Sequence, residues 1–189
     1  MGLLELLLIA LGLSMDAFAA SLCKGMSMKK RNPHHSAVIA LFFGGFQAAM
    51  PLIGWLLGTQ FESYITAVDH WIAFGLLAFI GGKMIYEALI KETCPTEDEN
   101  ALRIKGLLLL AVATSIDALA VGVTFAFLQV SIIPAVTFIG VVTFVLSYIG
   151  VFIGHKFGAS LKTKAELAGG LVLILIGIKI LLEHLHVLS

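Results

Sequence analysis

Ser14-Met15-Asp16-Ala17-Phe18-Ala19 returns further along the chain as Ser115-Ile116-Asp117-Ala118-Leu119-Ala120. Each copy sets one carboxylate near the middle of an apolar run long enough to cross a bilayer, which takes about 20 residues. An Asp at the centre of a membrane helix costs about 2.5–3.5 kcal/mol on insertion scales. Two such residues require either a compensating partner or a function.

The surrounding chain is apolar throughout. Of its 189 residues 59% are hydrophobic and only 13% are charged, about half the charged share of a soluble domain. The expected fold class is therefore all-α: a polytopic membrane protein with six transmembrane helices near 3–23, 37–58, 70–90, 105–127, 131–154 and 166–187. The loops between these runs leave no room for a soluble catalytic domain. A net charge of zero provides no basic footprint for nucleic acid. No phosphate-binding loop or nucleophile–base pair stands out, so the chain reads as a non-enzyme without a cofactor. The first run carries Glu5 and no basic residue ahead of it. Despite the cleavage-like Ala17-Phe18-Ala19, it reads as a helix rather than a leader. Cys23 and Cys94 are far apart and read as two unpaired thiols near the cytoplasmic face.

Cations fix an orientation. Lys24, Lys29, Lys30 and Arg31 lie in the first loop, Lys91, Arg103 and Lys105 around the third, and Lys156, Lys162 and Lys164 around the fifth. The other loops and both termini have none. Loops one, three and five are thus expected in the cytoplasm and both termini outside, since Lys and Arg set orientation.

The chain also repeats. Gly44, Gly54 and Gly58 match Gly140, Gly150 and Gly154, and Gly81-Gly82-Lys83 matches Gly177-Ile178-Lys179 at the same offset. The expected organisation is a three-helix repeat over 1–92, a cytoplasmic linker over 93–104 and a second repeat over 105–189. An odd number of crossings inverts the second copy, and inverted repeats place transport sites near the midplane between them. The G-x-x-x-G pairs Gly54/Gly58 and Gly150/Gly154, the latter extended by Gly158, read as close helix packing.

Opposed helices place Asp16 and Asp117 both near the midplane. Two nearby carboxylates repel unless a cation or a proton sits between them, so they read as metal ligands whose occupancy is linked to proton release. Pro51 leaves the Gln47 carbonyl without its helical donor, adding Gln47 as an oxygen ligand. Thr143 is its counterpart in the second repeat, where Ser147 replaces Pro51. Ser14 and Ser115 sit about 200° around the helix from each Asp and read first as hydroxyls bonded to their own helix, with ligation as an accessory role. Lys83 shares a face with Glu87, and Lys179 with Glu183. They read either as snorkelling lysines with counter-ions or as gating and charge-compensating pairs. The histidines His34, His35, His70, His155, His184 and His186 lie at helix ends or in loops.

These residues carry a resemblance. Ser14–Ser21, Pro51–Trp55, His70–Phe74, Thr114–Val123 and the Ala-Glu-Leu-x-Gly-Gly stretch at 165–174 resemble the MntP-type manganese efflux pumps of bacteria, themselves remotely similar to the lysine-exporter superfamily. The resemblance spans all six runs. It implies export of Mn²⁺ across the bacterial inner membrane, with Asp16 and Asp117 as the motif acids. Position 47 is acidic in some members and is the neutral Gln47 here. Oxygen ligands suit a hard divalent ion, and the lack of mid-membrane His and Cys argues against Cu⁺ or Zn²⁺. The reading is a secondary exporter of manganese, with protons as a candidate exchange ion. Export of a small amino acid, with Lys83 or Lys179 holding its carboxylate, or of another divalent cation is the alternative.

Overall fold

A computed structural model describes residues 3–28, 32–65, 69–89, 104–157 and 159–184, and among these every regular element is a helix. In chain order they are α1 (Leu3–Met26), α2 (Pro33–Ile65), α3 (Asp69–Leu89), α4 (Ile104–Phe127), α5 (Ile132–Phe157) and α6 (Ala159–His184). In hydrocarbon each backbone N–H and C=O must be satisfied within its own segment, and a helix does this. The outer faces present Leu41, Phe79, Leu109, Ile116, Val141, Phe152 and Leu171, all exposed. So broad an apolar surface fits lipid rather than water.

Helix ends follow local chemistry. Asn32 caps α2, its Oδ1 accepting from the His34 N–H at 3.0 Å, and Pro33 fills the first helical position, where its missing N–H costs nothing. This cap starts α2 ahead of the expected 37–58 run, and the helix continues past it to Ile65, 33 residues in all. α4 ends with Gln129 at φ 49°. The Val130 N–H reaches the Phe125 carbonyl at 3.0 Å and the Gln129 N–H the Ala126 carbonyl at 3.2 Å, the paired bonds of a left-handed helix stop.

Five helices, α1, α2, α4, α5 and α6, are long and apolar enough to cross a membrane, while the apolar stretch of α3 is the shorter Phe74–Tyr86. The expectation of six spans is met for five. In α3, Asp69 and His70 open the helix, and Lys83 lies within its apolar stretch. A second expectation is corrected: Cys23 is disulfide-bonded, not a free thiol. The other cysteine of the chain, Cys94, lies outside the described residues. Separation along a chain says nothing about proximity after folding, which is what a disulfide requires.

The helices pack in two kinds of seam. α1 runs alongside α5, and α2 alongside α4, each pair in the same direction. A Cβ on Gly54 would lie 2.0 Å from the Leu119 carbonyl oxygen, and one on Gly154 2.2 Å from that of Leu22. These two G-x-x-x-G pairs therefore bring backbones into direct contact, as small residues do in membranes; Gly158 lies outside the described residues. α6 runs antiparallel to α3 and to α1, through Gly81 against Gly170 and Gly12 against Leu173. α3 meets α4 over a much shorter stretch than α1 meets α6.

Two buried apolar clusters form the core. One holds Leu13, Ala118 and Ile139; the other holds Ala17, Phe43, Ala111 and Val151. Buried polar residues lie between them on four helices: Ser14 on α1, Gln47 on α2, Ser115 and Asp117 on α4, Thr143 and Ser147 on α5. A polar layer enclosed by apolar ones is where weakly screened charge and hydrogen bonds act most strongly.

Candidate cation site

The layer is held together at the Leu13–Ser14 turn of α1. Ser14 Oγ donates to the Ala10 carbonyl at 2.6 Å, as a membrane-helix serine does by default. With that proton committed, Thr143 on α5 is the donor in the 2.7 Å contact between the two hydroxyls. From α2, Gln47 Nε2 donates to the Leu13 carbonyl at 3.2 Å. Three helices thus converge on one turn. Ser115 donates to the Ala111 carbonyl at 2.6 Å and stays on its own helix.

Gln47 is fully buried, and its Oε1 has no hydrogen-bond partner. A buried acceptor left without a donor costs about 1–3 kcal/mol. The amide is oriented by its other end, so its oxygen is presented to the layer rather than consumed by it. An amide oxygen of this kind is chemically able to ligate a hard cation.

Asp117 is 6% exposed. Its two oxygens accept from Lys83 Nζ at 3.2 and 3.1 Å, a two-pronged grip across from α3 to α4. The lysine side chain is 36% exposed against 9% for the aspartate, so the ammonium reaches inward from the less enclosed side. Asp16 on α1 is half-buried and engaged with a neighbour. Among the described residues no three His, Cys, Asp or Glu side chains gather into a metal-binding group. A cation held here must therefore take amide, hydroxyl or carbonyl oxygens alongside carboxylate.

The second lysine goes elsewhere. Lys179 on α6 pairs with Glu5 at the start of α1. The side chains of Glu87 and Glu183 lie outside the described residues. Sequence reasoning missed Glu5 as a partner, because the two residues lie 174 positions apart. It also passed over Glu166, a buried carboxylate on α6, although that residue stands in the quoted Ala-Glu-Leu stretch. Ser21 and Ser147 were missed as well. Both are fully buried with hydroxyls that have no partner, which no local pattern could signal.

Comparison with known proteins gives a uniform result. The family model described as "Putative manganese efflux pump" matches residues 29–181. The chain is 59% identical over 190 residues to a protein of that name from Acetivibrio thermocellus, covering 100% of this chain and 95% of the relative. It is 60% identical over 189 residues to one from Desulfitobacterium hafniense, covering 100% and 99%. To one from Clostridium perfringens it is 49% identical over 209 residues, covering 100% and 98%. No solved structure matches.

Proposed function

The chain belongs to the manganese efflux pump family, and from that premise we propose that it exports Mn²⁺ from the cytoplasm as a gradient-driven secondary transporter. The cargo is bound between the two apolar clusters by Asp16, Asp117 and Gln47, with Ser14, Ser115 and Thr143 as accessory oxygens. The observation that carries this site is the buried Gln47 Oε1, an acceptor with no donor, in the same layer as a buried carboxylate. Oxygen donors of this kind suit a hard divalent ion.

We place the protein in the bacterial inner membrane with loops one, three and five cytoplasmic and both termini outside, on the strength of the loop cations. The two-repeat organisation, 1–92 and 105–189 about a linker over 93–104, is supported by the packing. α1 on α5 and α4 on α2 are the matching pairs of such an arrangement, and each is closed by a matching G-x-x-x-G. In the cargo-free state Lys83 serves as the counter-ion of Asp117 and must withdraw when Mn²⁺ binds. Lys179 with Glu5 closes the outer end of the α1/α6 seam. Protons are the exchange ion to test first, since cargo and proton compete for carboxylate.

The amino-acid reading loses support, because it needs an ammonium for the substrate carboxylate and both membrane lysines are engaged. The test is uptake into inside-out vesicles, comparing Mn²⁺ with Mg²⁺, Fe²⁺, Zn²⁺ and a small amino acid while internal pH is followed. Mn²⁺ accumulation that disappears in Asp117→Asn is expected. Accumulation of the amino acid alone would overturn the reading.

A further inference from the structure

Hydroxyls within these helices have a default. Ser14, Ser27, Thr114, Ser115, Thr124 and Thr137 each donate to the carbonyl four residues earlier, at 2.6–3.2 Å. Ser21 and Ser147 do not. Both are 0% exposed, and neither Oγ has any partner. A buried hydroxyl without a partner is a cost that folding alone does not explain.

Their positions are related. Ser21 lies seven residues after Ser14 and so on the same face of α1, about 10 Å further along. Ser147 lies one turn after Thr143 on the same face of α5. Ser14 and Thr143 are bonded to each other, and Ser21 faces Gly150, whose Cβ would lie 3.0 Å from that of Ser21. The α1/α5 seam therefore carries, in order, the bonded pair Ser14–Thr143, then the two silent hydroxyls, then Gly154 against Leu22. It leads from the Gln47 layer to the end of α1 that bears Lys24. At the matching places of the α2/α4 seam the residues are Gly122 and Pro51. There a Cβ on Gly122 would lie 2.1 Å from the Pro51 carbonyl oxygen, which leaves no side-chain hydroxyl and no space.

We propose that Ser21 and Ser147 form a way-station for the hard divalent cation on its path between the cytoplasm and the Asp117–Gln47 layer. The inference rests on the manganese reading and adds a route to it. A hydrated divalent ion sheds its water in steps, and hydroxyl oxygens can replace shed waters or hold those that remain. In the conformation seen here the seam is closed and both hydroxyls wait without a partner. When α1 and α5 part on the cytoplasmic side, they meet the ion or its water. The α2/α4 seam has no such groups, so the two routes to the layer differ in kind.

The test uses the full chain and Mn²⁺, with Ser21→Ala, Ser147→Ala and the double variant. Three quantities are measured: the unfolding midpoint in detergent, the equilibrium Kd for Mn²⁺, and the initial rate of uptake into inside-out vesicles. Removing an unpartnered buried hydroxyl loses no bond, so the midpoint should hold or rise. The Kd should stay within about twofold, while the double variant slows uptake about tenfold, the scale of one lost contact to a charged group. Ser→Cys at both positions, close in size but a poor ligand for a hard ion, should be slow too. A double alanine variant as fast as wild type would overturn the route while leaving the manganese reading intact. So would slow uptake accompanied by an equal loss of affinity or a lower midpoint. Wild-type vesicles that take up no Mn²⁺ would instead overturn the manganese reading.

Discussion

Lys83 and Lys179 occupy matching places in the sequences of α3 and α6, yet their ammonium groups end on different kinds of carboxylate. Lys83 grips the buried motif acid Asp117. Lys179 holds Glu5 at the first turn of α1. Their neighbours differ. α1 carries Glu5 in its first turn, where the matching place in α4 is Gly106. α1 also lies along α6 for a long stretch, while α4 touches α3 only briefly. Matching sequence thus supplied two identical groups, and the folded chain gave them different partners.

The comparison can be broken most forcefully at the acid itself. Asp117→Asn should abolish manganese resistance in a strain lacking its own exporter, as should Asp16→Asn. In Asp117→Asn loss of the ion pair with Lys83 should also lower stability by about 1–3 kcal/mol, less than for a fully buried pair because the lysine is part exposed. Growth in excess manganese, with detergent unfolding alongside, reads both effects; full resistance in either variant would remove that acid from the site. Next in size is the contrast between seams. Gly122→Ala drives a methyl into the Pro51 backbone and should cost about 1–3 kcal/mol by overpacking. Gly45→Ala, with open space around it, should leave the unfolding midpoint where it is.

A sharper comparison comes from removing each ammonium. Lys83→Met frees Asp117 from its resident cation and should tighten Mn²⁺ binding about tenfold, equivalent to about 1.4 kcal/mol, while slowing export. Lys179→Met should leave the affinity unchanged. Titration calorimetry on both proteins decides the matter, and equal shifts would show that the two lysines are not distinct after all. The smallest effect belongs to Glu5→Gln, whose bridge to a half-exposed lysine is worth about 0–1 kcal/mol and weakens with salt. A large loss of stability there would mean that the outer seam depends on this one contact.

Much of the candidate site could be named from sequence because burial of charge in an apolar run is a local fact. Asp16 and Asp117 announce themselves by the cost of their position, and Gln47 by the proline one turn on. What Gln47 does with its two ends was not legible. Its Nε2 bond to Leu13 spans 34 residues of chain, and its orphaned Oε1 follows from that bond. The pairing of Cys23 was hidden for the same reason. So were the silent hydroxyls, which look in sequence like the serines that bond to their own helix. In α3 the expected run over 70–90 is a helix, Asp69–Leu89, but its apolar stretch among the described residues is the shorter Phe74–Tyr86.

Composition and periodicity by themselves determined that the chain is helical and apolar, which apolar runs its helices contain and which acids they carry, because each depends on neighbours within a few turns. The tertiary structure alone decided that Lys83 faces Asp117, that Lys179 faces Glu5, and that two hydroxyls on the α1/α5 seam stand without partners. Those outcomes depend on which helix lies against which and for how long, and close packing of glycine-lined backbones sets that over the whole molecule at once.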